Sequence, residues 1–146
     1  VRDGLVYYRA LRSDRSKLDS FISAIATASV DGVSRADQMA FWLNAYNALV
    51  LQTVVNHYPI RGQAKGYPPN SIRQIPGAFE RTEHMAAGRK LTLDQIETAV
   101  LAEFRDPRMF VVLGRGAVGS GRLRSVCYSS DPCGLQLGPL RPLLQL

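Results

Sequence analysis

The segment between Ser34 and Pro59 constrains the fold more than any other. Phe41, Trp42, Leu43, Ala45, Tyr46, Ala48, Leu49, Val50, Leu51, Val54 and Val55 spread around every side of a helical period. A helix that is apolar all round in a globular domain must be wrapped by other elements on most sides. Ser34-Arg35-Ala36-Asp37 supplies a capping-box-like start, and Pro59 stops the helix after about Tyr58. A central buried helix over about residues 35–58 is therefore the expectation around which the rest is arranged. Asn44 and Asn47 share one face of this apolar segment. Their amides need partners, because an unpaired buried polar group costs about 1–3 kcal/mol.

The flanking elements read as follows. Ser13 opens a helix with Asp14 in its first turn, and Leu18, Phe21, Ile22 and Ile25 form its apolar stripe. Residues 59–80 are a Gly/Pro-rich connection with room for one helical turn near Ser71–Gln74. His84–Ala86 and Arg89–Leu91 flank Ala87-Gly88 and read as a β-hairpin, with His84 expected to be solvated. Thr92-Leu93-Asp94-Gln95 is a second capping box. The helix behind it carries Leu93, Ile96, Val100, Leu101 and Phe104, with Glu97 inside that apolar stripe. A carboxylate there needs a donor or a cation. Asp106-Pro107 ends the helix, and Met109–Leu113 suits a short buried strand. The fold class is α+β: a mostly helical single domain around the 35–58 helix, with a small sheet from the 84–91 hairpin and the 109–113 strand.

A chain of 146 residues with 46% apolar side chains is long enough for one core and too apolar to be disordered. It contains no apolar run of the ~18 residues that a membrane span needs. Val1-Arg2-Asp3-Gly4 carries no initiator Met and no signal-peptide pattern, so a fragment is expected, cytoplasmic by default. Cys127 and Cys133 form a lone C-x5-C pair that fits neither zinc nor redox spacing, and neither a metal nor another cofactor is expected. Residues 1–125 are expected to form the domain. Residues 126–146, with Pro132, Pro139 and Pro142 among scattered leucines, read as a divergent tail.

The net charge is +6, and its excess lies around Arg105, Arg108, Arg115, Arg122 and Arg124. Guanidinium forks match carboxylate and phosphate groups. No nucleic-acid module accompanies the charge, so no nucleic-acid partner is expected. Gly114, Gly116, Gly119 and Gly121 interleave with these arginines, and successive glycine amides can form an anion-binding nest. Gly114-x-Gly116-x-x-Gly119 also fits the dinucleotide fingerprint literally. It lacks the following helix and the later acidic residue that this fingerprint requires.

Phe41-Trp42-Leu43-Asn44-Ala45-Tyr46-Asn47-Ala48 resembles the signature of the domain-of-unknown-function family 547. The resemblance extends upstream to Tyr8-Arg9-Ala10-Leu11. Downstream it takes in Ser71-Ile72-Arg73-Gln74-Ile75, the stretch from Gly88 to Glu97, and Asp106-Pro107-Arg108, covering about residues 4–125. It implies a likeness to papain-like cysteine hydrolases, in which a thiolate and an imidazole work as a pair. At the positions where the family typically carries histidines this chain has Thr98 and Phe110. Gly119-Ser120-Gly121 stands where the family has Ser-Cys-Pro, and Arg115 where many members have a further cysteine. Glu97 is retained.

A thiol or hydroxyl nucleophile needs a neighbouring base, and these departures remove both partners of the pair. The expectation is a non-catalytic domain that binds a small anion or an acidic peptide at the Arg/Gly loop. Asn44, Tyr46, Asn47, Arg115, Gly116, Gly119, Arg122 and Arg124 are its candidate binding residues, and Glu97 is expected to pair with Arg115. Two alternatives are a hydrolase or transferase using Ser120 with Glu97, and a purely structural interaction module.

Overall fold

The computed structural model describes residues 6–106 and 112–115. Its helices are α1 (Tyr8–Ser13), α2 (Ser16–Thr27), α3 (Arg35–Asn56) and the short α4 (Leu93–Gln95), which runs on into a π turn at Ile96–Val100 and a 3-10 turn at Leu101–Phe104. A separate 3-10 turn spans Ile72–Gln74. Strands β1 (Glu83–Ala86) and β2 (Arg89–Thr92) pair antiparallel. The molecule is mostly helical with this one small hairpin sheet among the described residues.

Helix α3 is the axis of the core. Every residue from Ala40 to Leu51 is buried, as are Thr53, Val54 and Val55. Its start is held by Ser34, whose hydroxyl accepts the Asp37 N–H and donates to the Asp37 carboxylate. Its end lies at Asn56, where Pro59 approaches, and the His57 ring nitrogen Nδ1 lies 2.8 Å from the Thr53 carbonyl. Leu18, Phe21 and Ile25 of α2 share its core, which Ile72, Ile75, Ala78 and Phe79 of the long connection also join. Helix α1 reaches the C-terminal end of α3, with Tyr8 stacked on Tyr58 and Arg12 donating to the Tyr58 carbonyl. The connection itself is fastened by Gln74, whose side-chain amide bonds backbone groups of Ala64, Tyr67 and Pro68.

Three details depart from the sequence reading. Ser13 closes α1 rather than opening α2; the chain is extended at Asp14, whose carboxylate accepts from the Ser16 hydroxyl. Val112 and Leu113 are not in a strand, and Met109–Val111 lie outside the described residues. The backbone groups that a strand would offer to a neighbour are taken at Val112 and Gly114 by the side chain of Asn47. His84 is half-buried rather than solvated. It alternates along β1 with the exposed Met85, so it shares the inward face with the fully buried Ala86. The hairpin turn, Ala87 and Gly88 both at positive φ, is seated on α2 by amides that donate to the Ile25 and Ala26 carbonyls.

Among the described residues His84 Nε2 has no hydrogen-bond partner, and burial pushes the imidazole pKa below its ordinary 6.5. The unfolded chain therefore takes up this proton at a higher pH than the folded one. This contribution to stability is full above pH 6.5 and is lost as pH falls through the folded-state value. Urea midpoints should decline across this window, and His84→Leu should show a shallower decline. Equal slopes for the two proteins would refute the role assigned to His84.

Candidate functional site

The site is built where the middle of α3 meets the π turn and the 112–115 segment. Thr92 ends β2 and caps α4 reciprocally: its hydroxyl accepts the Gln95 N–H, and the Gln95 side chain accepts the Thr92 N–H. The Asp94 N–H donates to the Phe79 carbonyl and ties this start to the connection. The helix then widens into the π turn, with Ile96 and Val100 buried. Widened turns of this kind recur at functional sites. Glu97 lies within it, and its side chain is 14% exposed.

Three side chains converge there. The Tyr46 hydroxyl donates to Glu97 Oε2 at 3.1 Å, and the Arg115 guanidinium forms an ion pair with Glu97 Oε1. Burial raises the Tyr46 pKa above the usual phenol range, while the charge and hydrogen bond of Arg115 pull it partly back. Tyr46 thus stays protonated at neutral pH and remains a donor to Glu97. Tyr46 is fully buried, whereas the Arg115 side chain is 45% exposed. The arrangement is graded from a buried phenol, through a nearly buried carboxylate, to a guanidinium at the surface.

Asn47, one residue along α3, holds the segment that carries Arg115. Its carbonyl oxygen accepts the buried Gly114 N–H at 2.8 Å, and its amide donates to the Val112 carbonyl at 3.4 Å. The Arg115 N–H donates back to the Leu113 carbonyl, turning the chain at Gly114. The expectation that Gly114 offers its amide to an anion is corrected by this contact, since Asn47 occupies it. Asn44 is buried on the same helix and is also engaged.

Of the residues singled out in the sequence, the structure thus brings together Tyr46, Asn47, Glu97 and Arg115. Thr98 stands apart, exposed, with its hydroxyl bonded to the Asp94 carbonyl one turn back. Phe110, Gly116, Gly119, Ser120, Arg122 and Arg124 lie outside the described residues. Arg73 was not singled out in the sequence, yet its charge acts on the Tyr46 hydroxyl, as does that of Asp94. Arg73 is itself ion-paired with Glu80 at 2.8 Å and packed over the Phe79 ring. The Ser71–Gln74 turn gave no local hint of this, because the approach is tertiary.

The sequence pattern of a family described as protein of unknown function, DUF547, matches residues 30–138. The chain belongs to this family. Within DUF547 the matched region takes in α3, the hairpin, the π turn and all of the Tyr46–Glu97–Arg115 network. It also runs through residue 125, and the domain boundary expected there lies outside the described residues. No curated protein and no solved structure matches the chain. Among the described residues no group of three or more His, Cys, Asp and Glu gathers as a metal set, and no helix is long and apolar enough to cross a membrane.

Proposed function

We propose that this DUF547 member is a non-hydrolytic domain that captures an oxyanion at the outward edge of Arg115. The ligand is a carboxylate or phosphate, free or carried on an acidic peptide. One observation supports the reading above the others: Arg115 is held by a nearly buried carboxylate while about half of its side chain faces solvent. A guanidinium has five N–H donors, and Glu97 uses one edge of the fork. Orienting the group in advance lowers the entropy lost when an anion binds. Thr98, where the family carries a histidine, is no base, and its hydroxyl is committed to Asp94. The acidic residue that the family retains serves here to hold an arginine.

Titration with inorganic phosphate, acetate and a short polyglutamate peptide tests the reading. Arg115→Lys keeps a cation against Glu97 but loses the planar fork, so affinity should fall about tenfold. Tighter binding of the peptide than of acetate would assign the ligand to an acidic peptide; equal binding would assign it to a free anion. Undiminished affinity in Arg115→Lys would remove the basis for an oxyanion site here. Ester or amide hydrolysis abolished by Ser120→Ala would replace it with the hydrolase reading.

A further inference from the structure

Asn47 lies beside Tyr46 on α3, which invites reading it as another contact for a ligand. Its geometry argues otherwise. The side chain is 7% exposed, and both ends of its amide are engaged by main chain more than sixty residues away. The oxygen accepts from Gly114 and the nitrogen donates to the Val112 carbonyl. The side-chain amide thus grips the segment much as a neighbouring strand would, with one donor and one acceptor. Arg115 follows directly, and its own N–H closes a tight turn onto Leu113.

We infer that Asn47 is a positioning residue that sets where the Arg115 guanidinium meets both Glu97 and an incoming oxyanion. The inference rests on the oxyanion site proposed above. Two fixed points, at Val112 and Gly114, define the path of the backbone immediately before Arg115. The third, at Glu97, fixes the far end of the same side chain. With the first two removed, Arg115 can still reach Glu97, but from a backbone that samples many paths. The site then loses the pre-organisation that favours binding. Asn47 contributes without touching the ligand.

The test uses inorganic phosphate as the probe and the full chain as the protein. In Asn47→Ala the amide hydrogen of Gly114 should exchange at least about tenfold faster, while amides of Ala45, Leu49 and Val50 keep their protection. Phosphate affinity should fall about tenfold as the pre-organisation of Arg115 is lost. In an Arg115→Lys background the same substitution should change affinity by less than about twofold, because the effect passes through the guanidinium fork. If Asn47→Ala fails to fold, Asn47→Asp still accepts from Gly114 but as a carboxylate cannot donate to Val112. It should keep the Gly114 protection and lose less affinity than the roughly tenfold expected when both contacts are released. Wild-type affinity in folded Asn47→Ala, or a full tenfold loss in the Arg115→Lys background, would overturn the inference while leaving the oxyanion site standing. Phosphate affinity unaffected by Arg115→Lys alone would overturn the site itself, and the positioning role with it.

Discussion

Trp42→Ala is expected to lower the unfolding free energy by about 3–5 kcal/mol, the range for removing a large buried aromatic side chain. Domains of this size are stable by about 5–15 kcal/mol in total, so the loss is a large fraction of the whole. The position explains the magnitude. Trp42 is 3% exposed, its ring meets Phe41 edge-on with centroids 5.2 Å apart, and Arg89 of β2 lies over it at 6.0 Å. The indole therefore joins α3 to the hairpin as well as filling the core. Trp42→Phe retains a ring at the Phe41 contact and should cost less than the alanine variant. Urea denaturation would check both, with the midpoint falling and the slope unchanged if the native state keeps its compactness. A loss below about 1 kcal/mol for Trp42→Ala would mean that the cavity collapses freely, contrary to a tightly wrapped central helix.

What the sequence revealed depended on whether the cause was local. Helix α3 was legible because its apolar residues occur on every side of the period and Ser34 and Pro59 mark its ends. The hairpin was legible because Ala87-Gly88 sits between two short runs, and the second capping box because Thr92 and Gln95 are three apart. The pairing of Glu97 with a cation was legible from the placement of a carboxylate on an apolar stripe. The π turn around Glu97 was not, since the same stripe fits an ordinary helix and the extra residue in the turn has no local signature. Val112 and Leu113 read as the end of a strand because an apolar run does not reveal whether its backbone groups meet a neighbouring strand or a side chain. That Asn47 serves the backbone at 112 and 114 is a tertiary fact. The half-burial of His84 likewise comes from the hairpin settling on α2, which no residue near position 84 announces.

The Glu97–Arg115 pair should respond asymmetrically to substitution, and the asymmetry follows from burial. Arg115→Ala removes the cation from a carboxylate that is only 14% exposed. A desolvated charge left without its partner costs about 3 kcal/mol, the lower end for breaking a buried pair, since Glu97 retains the Tyr46 hydroxyl. Glu97→Gln leaves an arginine that is already 45% exposed and can hydrate, and the new amide oxygen can still accept from Tyr46. That change should cost about 1 kcal/mol, the net worth of a hydrogen-bonding adjustment. Introducing Glu97→Gln into Arg115→Ala should recover part of the lost stability, because no desolvated charge is then left unpaired. Urea midpoints of the four proteins measure this directly. If Glu97→Gln proved as damaging as Arg115→Ala, the carboxylate would be supporting more than one arginine, and the graded path from the buried phenol to the surface guanidinium would have to be redrawn.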